Sequence, residues 1–277
     1  MSSGRPTALV RSCHPAPTVA VTVLTTVLVG VAGNSAATCV IAAVALLSGQ
    51  LSIGWSNDLI DAARDARANR SDKPVSTGAL SRQLLVRAIA SVLVLTIVAS
   101  LALGWRAGVA HLLGVACGWL YNLGLKSTVA SPLPYLVAFG ALPAVATLAT
   151  PRHPLPPAWS VAAAALIGVA AHLANVLPDI ADDLTEGVRG LPHRLGGRRS
   201  ALLAAATICA ATLVVLFGPA RRPSAFDWGA VAAVVALTAL GARANAADSR
   251  SATAFYTIMA AAAVDLLLIA VSHSLPG

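Results

Sequence analysis

The chain has 277 residues, of which 57% are hydrophobic and only 11% charged, and its mean hydropathy is +0.78. A soluble domain has about 25% charged residues, so this composition excludes a soluble globular protein and indicates a polytopic membrane protein. The net charge of +8 requires no nucleic-acid partner, because most basic residues fall in loops on one predicted membrane face, where they oppose anionic headgroups.

Apolar runs of about 20 residues, the length that crosses a bilayer core, predict an all-α fold of nine transmembrane helices in a single bundle. The runs lie near 17–34, 37–57, 84–104, 107–125, 132–150, 157–177, 200–218, 227–245 and 252–272. We expect residues 1–16 to be a disordered cytoplasmic lead and 17–277 to be one helical domain. A cleaved signal peptide is the alternative for the first 35 residues, but the run is long and eight more follow.

Two acidic clusters follow the second and sixth runs. They read Asn57-Asp58-Leu59-Ile60-Asp61-Ala62-Ala63-Arg64-Asp65 and Asp179-Ile180-Ala181-Asp182-Asp183-Leu184-Thr185-Glu186. Counted with Asp72, the clusters contain eight of the eleven acidic residues of the chain. The carboxylates are therefore concentrated rather than spread for solubility.

Basic residues predict the orientation, because short cytoplasmic loops retain Lys and Arg. With the N-terminus inside, fifteen of the nineteen basic residues lie on the cytoplasmic side. This pattern predicts an integral, multi-pass membrane protein, with the cell membrane as the expected location. Its N-terminus and both acidic clusters would face the cytoplasm, and its C-terminus would lie outside.

Each cluster forms one oxygen-rich face if its segment is helical, at about 100° per residue. Carboxylate and amide oxygens without His or Cys partners select Mg²⁺, with Mn²⁺ as a substitute, and such ions are often shared with substrate phosphates. The predicted metal ligands are Asn57, Asp58, Asp61, Asp65, Asp179, Asp182 and Asp183. The natural ligand of such a site is a diphosphate or a nucleotide. The alternative is that these residues are solvated loop acids that balance neighbouring arginines.

With these motifs the chain resembles the UbiA superfamily of intramembrane aromatic prenyltransferases. The first family signature, N-D-x-x-D-x-x-x-D and then a basic-Pro-x-x-x-Gly element, is matched by Asn57 to Asp65 and by Lys73-Pro74-Val75-Ser76-Thr77-Gly78. The second, D-x-x-x-D and then G-[IV]-[KR]-x-L-P-x-x-L-G, is matched by Asp179, Asp183 and residues 187–196. A further family-like element spans residues 121–126, after the fourth run.

The resemblance covers nearly the whole chain, because the family has nine transmembrane helices with aspartate motifs after helices two and six. It implies a Mg²⁺-dependent enzyme that moves a prenyl group from an isoprenoid diphosphate to an aromatic or other small or lipid acceptor, through an allylic carbocation. Two departures remain. Gly187 stands where some members have a third aspartate, and Lys73 replaces the more usual arginine, which keeps the charge but loses bidentate phosphate geometry.

The resemblance also assigns residue roles. Catalysis would rest on Asp61, Asp183 and Lys126. Groups that bind the diphosphate would be Arg70, Lys73, Tyr121, Lys126 and Arg189. Each basic residue has a competing role as a topology determinant.

Four residues are expected at the prenyl and acceptor cavity. Trp55 and Trp119 lie near the cytoplasmic ends of runs two and four, with interfacial anchoring as the alternative. His172 and Asn175 precede Asp179 by seven and four residues and so share its helical face, with an interhelical hydrogen bond as the alternative.

The expected partners are an isoprenyl diphosphate, an aromatic or lipid acceptor and membrane lipid, and the sequence indicates no protein partner. The acceptor and the prenyl chain length stay open. A terpene cyclase of the same family would use the same site without an acceptor. A membrane transporter is the alternative from another class, but acidic faces at the membrane boundary rather than at mid-membrane count against it.

Overall fold

A computed structural model of the chain describes residues 4–67, 73–248 and 250–274, and within them the fold is all-α with no strand. The helices are α1 (Arg5–Ser12), α2 (Pro15–Val31), α3 (Ala36–Arg67), α4 (Arg82–Ala102), α5 (Trp105–Leu123), α6 (Leu133–Gly140), α7 (Leu142–Leu148), α8 (Ala158–Val176), α9 (Ile180–Thr185), α10 (Leu191–Leu195), α11 (Gly197–Phe217), α12 (Ala225–Ala247) and α13 (Thr253–Ser274). Short 3₁₀ turns at Leu125–Ser127 and Leu177–Asp179 follow α5 and α8.

Eight of the nine predicted runs coincide with one long helix each, and the run 132–150 coincides with the pair α6 and α7. Among the described helices, five are long and apolar enough to cross a membrane, and a sixth span counts if the bent pair α1 and α2 is one span. Leu133–Leu148 and Thr253–Ile269 are shorter apolar stretches. The all-α membrane fold is confirmed, whereas the number of spans stays a prediction.

The break between α6 and α7 has a local cause in Pro143. A proline has no N–H to donate to the carbonyl four residues earlier and clashes with it, so the helix cannot run on smoothly. In the structure α6 ends at Gly140, the N–H of its C-cap residue Ala141 donates to the Val137 carbonyl at 3.0 Å and also to the Phe139 carbonyl, and α7 begins again with Pro143 in its first turn.

Two helical cores flank the middle of the bundle. Residues of α2, α3, α4, α5 and α7 form the first core, which includes Val29, Leu46 and Val145. Residues of α8, α11, α12 and α13 form the second core, which includes Leu173 and Ile208. Contacts of α6 with α8 and of α13 with α2 join the two halves, and each half contributes one acidic cluster.

Helix α1 lies where the sequence analysis expects a disordered lead. It bends by 73° from α2 and packs on α3 and α4, with Ala8 buried beside Trp55 and Leu85. The Trp55 indole N–H donates to the Leu9 carbonyl at 2.9 Å. Ala8 and Leu9 thus pack into this cluster, and the burial of their apolar surface offsets the conformational entropy that the segment loses when it folds.

Gly54 allows this close packing of α1 on α3, since a Cβ there would overlap the Cys13 carbonyl. We expect Gly54→Ala to lower the free energy of unfolding by about 2 kcal/mol, because backbone must shift to relieve the overlap. Gly229→Ala is the matched control: a Cβ at that helical glycine meets nothing within 4 Å. It should be neutral or stabilising by up to about 1 kcal/mol. Thermal unfolding midpoints in detergent measure both, and equal midpoints for the two variants would contradict the packing of α1.

Candidate active site

The first acidic cluster lies on the last turns of α3, which continues as a helix past the apolar run to Arg67. Asp58, Asp61 and Asp65 are 1%, 6% and 3% exposed. A buried carboxylate is costly unless it is paired or hydrogen-bonded. The surroundings of these three residues therefore decide what the cluster can do.

Asp61 is the centre of the charge contacts. Lys126, on the 3₁₀ turn after α5, donates from Nζ to Asp61 Oδ2 and to Asn57 Oδ1, the latter at 3.1 Å. Arg64 Nη2 lies 2.8 Å from the same Asp61 oxygen. Burial lowers the pKa of the Lys126 ammonium, and the Asp61 carboxylate opposes that shift. One carboxylate is thus shared by two cations from different elements.

The second cluster meets the first across the bundle. Asp183 and Glu186 lie at the short helix α9, after the 3₁₀ turn that contains Pro178. Arg64 Nε lies 2.8 Å from Glu186 Oε2, so one arginine joins the two clusters. Asp183 Oδ2 lies 3.0 Å from Nε2 of the buried His193 on α10. We call this end of the bundle, with Asp61 and Asp183, the acidic end.

A chamber of about 980 Å³ extends from the acidic end through the middle of the bundle. It reaches the loop of residues 149–157 between α7 and α8, which we call the far end. Its wall is largely apolar and includes the rings of Tyr121, Tyr135 and Phe139. The Tyr121 and Tyr135 rings meet edge to face at 5.3 Å.

Five of the seven predicted metal ligands line the chamber, namely Asn57, Asp61, Asp65, Asp179 and Asp183. The other two, Asp58 and Asp182, are not among the residues that line it. Asp58 accepts a hydrogen bond from Ser12 Oγ at 2.8 Å and lies 3.3 Å from Lys73 Nζ. Asp182 pairs at 3.0 Å with Arg250 on the exposed side of α9, because consecutive helical residues point about 100° apart.

The donor set fits a divalent ion that is shared with substrate, rather than an ion held by protein alone. Within residues 4–67, 73–248 and 250–274, no group of three or more His, Cys, Asp or Glu side chains is placed to hold one ion. Mg²⁺ typically takes one or two carboxylates and completes its shell with water and phosphate oxygens. Asp65 Oδ2, buried and without a hydrogen-bond partner, is a ligand atom of the required kind.

The predicted diphosphate-binding residues also include some that line the chamber and some that do not. Lys73, Tyr121 and Lys126 line the chamber. Arg189 is exposed and is not among the lining residues, and its carbonyl accepts a hydrogen bond from Arg194 Nε at 3.0 Å. Arg70 lies outside the described residues.

Three residues at the acidic end were not predicted as site residues: His14, Arg64 and Glu186 all line the chamber. Arg64 follows Asp61 by three residues on a helix, and that spacing is a signal that sequence reasoning can use. His14 lies at the bend between α1 and α2, with Nε2 at 3.4 Å from Asn57 Nδ2 and 3.5 Å from Lys73 Nζ. No local pattern predicts that contact, since it depends on the direction of α1.

Of the four expected cavity residues, only Asn175 lines the chamber. Trp55 packs under α1, and the Trp119 indole N–H donates to Ser52 Oγ at 3.3 Å. His172 is 1% exposed, and its Nε2 lies 3.1 Å from Ser131 Oγ. Both tryptophans and His172 therefore pack behind the wall, and the hydrogen bond of His172 joins α8 to the turn before α6.

Gly187, the departure from the third aspartate, follows α9 with φ +84°. This left-handed conformation is easily reached by glycine and is unfavourable for most other residues. The turn continues with a hydrogen bond from the Val188 N–H to the Asp183 carbonyl at 2.9 Å. A backbone requirement thus accounts for glycine at this position.

These features define a class of protein: an all-α membrane bundle with an apolar chamber that ends at two facing acidic clusters and a buried lysine. The chain belongs to the UbiA prenyltransferase family, whose family model matches residues 16–266. A search of curated protein sequences found no significant match.

Several solved structures have the same fold. A UbiA homolog from Archaeoglobus fulgidus bound to GPP and Mg²⁺ has a TM-score of 0.71 at 14% identity, covering 97% of this chain and 100% of that chain. A UbiA homolog from Aeropyrum pernix K1 has a TM-score of 0.69 at 19% identity, covering 92% and 98%. A digeranylgeranylglyceryl phosphate synthase has a TM-score of 0.68 at 15% identity, covering 97% and 98%. At these identities the likeness shows the fold alone.

The buried contact between Lys126 and Asp61 predicts a stability effect. Lys126→Met should lower the free energy of unfolding by about 2 kcal/mol, less than the 3–5 kcal/mol of a fully unpaired buried charge, because Arg64 still contacts Asp61. Arg250→Met removes an exposed ion pair with Asp182 and should cost less than about 1 kcal/mol. Thermal unfolding in detergent compares the two variants. If the unfolding midpoint of Lys126→Met is not below that of Arg250→Met, the buried pair does not stabilise the fold.

Proposed function

We propose that this protein is a Mg²⁺-dependent prenyltransferase that moves a prenyl group from an isoprenyl diphosphate to an aromatic or other small or lipid acceptor. The observation that carries the proposal is the meeting of two acidic clusters, Lys73 and Lys126 at one end of a long apolar chamber. Family membership supports it. So do structures of a UbiA homolog from Archaeoglobus fulgidus bound to GPP and Mg²⁺, to DMAPP and Mg²⁺, and to Cd²⁺.

The ion would be held by the five predicted ligands that line the chamber. They are Asn57, Asp61, Asp65, Asp179 and Asp183. When bound, a divalent cation neutralises negative charge on the diphosphate and stabilises it as a leaving group. Mn²⁺ would serve as a substitute, because it accepts the same oxygen ligands.

Lys126 and Lys73 supply the positive charge that comes from the protein itself. Lys126 is fixed against Asp61 and Asn57, so its ammonium is oriented before substrate arrives. A fixed cation beside developing negative charge stabilises the transition state without reorganisation. Asp58 acts indirectly here, because it lies 3.3 Å from Lys73 and holds that side chain toward the chamber.

In the proposed reaction the bond between the allylic carbon and the diphosphate oxygen breaks, and both electrons go to the oxygen. An electron pair of the acceptor, from an aromatic carbon or a hydroxyl, forms the new bond to the allylic carbon, and the acceptor loses a proton. The chamber excludes bulk water from the carbocation, and the faces of Tyr121 and Tyr135 offer it π-electron density. Because diphosphates are charged and soluble, the acidic end would face the cytoplasm.

The adjacent residues Asp182 and Asp183 provide a matched test of the site, since only Asp183 lines the chamber. Asp61→Ala and Asp183→Ala should each lower turnover at least about 100-fold, since each removes a carboxylate that lines the chamber. Asp182→Ala should keep near-normal turnover, because Asp182 pairs with Arg250 at the surface. Steady-state diphosphate release by the purified proteins, with thermal unfolding to verify folding, measures all three. Normal activity of Asp61→Ala or Asp183→Ala would contradict the assignment.

The function itself is tested by diphosphate release from allylic diphosphates in detergent, with and without Mg²⁺ and with and without a mixture of aromatic and lipid alcohol acceptors. Release that needs both Mg²⁺ and an acceptor is the expected result. Release without an acceptor, with a cyclic product, would identify a terpene cyclase instead. No release from any donor would contradict the enzyme proposal and favour transport.

A further inference from the structure

The chamber is much longer than a diphosphate site requires. On α2 and its flanks its lining runs from His14 to Ala32, which is about 27 Å along a helix axis. On α8 it runs from Asn175 back to Trp159 and continues into the far-end loop at Leu155. This depth approaches the roughly 30 Å of a bilayer hydrocarbon core.

One face of α5 marks a path through the chamber. Four residues of α5 at every fourth position line the chamber, namely Ala110, Gly114, Gly118 and Asn122, and Lys126 follows on the 3₁₀ turn after the helix. The polar pair Asn122 and Lys126 lies at the acidic end, and only small side chains follow. Gly118 lies against Ile53 of α3, which is eight residues or about 12 Å from Asp61, and Gly114 and Ala110 lie about 6 and 12 Å further along α5, at about 18 and 24 Å from the acidic end.

The chemistry of the wall beyond Gly118 suits a hydrocarbon. The facing surfaces of α2 and α13 contribute apolar side chains, including Val21, Leu24, Leu28, Ile258 and Met259. His111 also lines this depth, but its Nδ1 is paired with Ser100 Oγ at 2.7 Å. Thr25 and Gln50 add two neutral polar side chains at this depth, so a slender tail that starts at the acidic end would meet a mostly apolar wall.

We propose that the donor carries a long prenyl tail of at least four isoprene units, and that depth along this face of α5 sets the length accepted. The inference rests on the proposed function. An extended isoprene unit has four main-chain carbon–carbon bonds and spans about 5 Å. Two units therefore end before Gly118, three end between Gly118 and Gly114, and four pass Gly114 but stop before Ala110.

The first test compares donors with 10, 15, 20 and 30 carbons on the wild-type protein. Each further unit up to 20 carbons should raise kcat/KM at least about tenfold, because it buries more apolar surface. Thermal stabilisation by non-hydrolysable thiolodiphosphate analogues of the same lengths gives a second readout that needs no turnover. The thermal stabilisation should increase with the length of the analogue up to 20 carbons. A preference for 10 carbons in both readouts would overturn the proposal.

The second test blocks the path at two depths. Gly114→Phe should leave donors of 10 and 15 carbons within threefold of wild type and reduce the 20-carbon donor at least tenfold. A Cβ at Gly114 makes only ordinary contacts with Ala138, at 3.6–3.8 Å, so the backbone tolerates a side chain there. Ala110→Phe, further in, should spare the 20-carbon donor and reduce the 30-carbon donor.

Leu113→Phe is the matched control, since Leu113 is on the same helix but 49% exposed at the bundle surface. It should leave the whole length profile unchanged. If Gly114→Phe reduces all donors equally, or if Leu113→Phe changes the profile in the same way, depth along α5 does not set the length. Failure of the proposed function looks different: no donor is turned over, while the analogues still stabilise the protein in order of length.

Discussion

The structure depends on one chain of charge contacts at the acidic end, in which Lys126 contacts Asp61, Asp61 contacts Arg64, and Arg64 contacts Glu186. A carboxylate in a weakly polar interior needs a partner, and removal of one partner from a buried pair is strongly destabilising. Because α3 provides two of these groups and the other two come from elsewhere in the bundle, the contacts join its halves. The two acidic clusters therefore face each other across the chamber at a fixed separation.

Helix length explains how the charges reach that position. Helix α3 has 32 residues, or about 48 Å, which is well beyond the roughly 30 Å of a hydrocarbon core, so its last turns extend past the apolar zone. Helix α5 has 19 residues and ends at Leu123, and the 3₁₀ turn that follows brings Lys126 back against Asp61. An overlong helix beside a helix of ordinary length thus sets an acidic face against a lysine at the membrane boundary.

Much of this arrangement was predictable from local patterns. The 3.6-residue period on α3 puts Asp61 and Asp65 on one face, and both line the chamber. Apolar runs locate the long helices because burial in lipid needs a contiguous stretch. Local sequence patterns do not specify the direction in which each helix face points relative to the neighbouring helices. Asp182 was expected at the metal but lies at the surface, and its neighbour Asp183 lines the chamber.

The same physical reason explains why the positions of other residues were not predicted correctly. Trp55 and Trp119 were expected at the cavity from their depth, but depth along a helix does not specify rotation, and both pack behind the wall. His14 reaches Asn57 only because α1 folds back across α3, a tertiary contact that no local spacing encodes. Positions within a helix were thus predictable, whereas contacts that depend on how short elements dock were not.

Separation of the charged end from the apolar chamber also divides the work of binding and reaction. Contacts with a tail are the same before and during bond cleavage, so they strengthen binding of substrate and transition state alike and lower KM without raising kcat. In the proposed reaction, only groups beside the leaving oxygen would interact more strongly as negative charge develops, and Lys126 and the carboxylates that hold it would be such groups. Changes along α5 beyond Gly118 would then act on KM and donor choice, and changes at Asp61 or Lys126 on kcat. A bundle whose acidic clusters and lysines gather at one end of the chamber can therefore adapt the rest of the chamber to different tails without disturbing the chemistry.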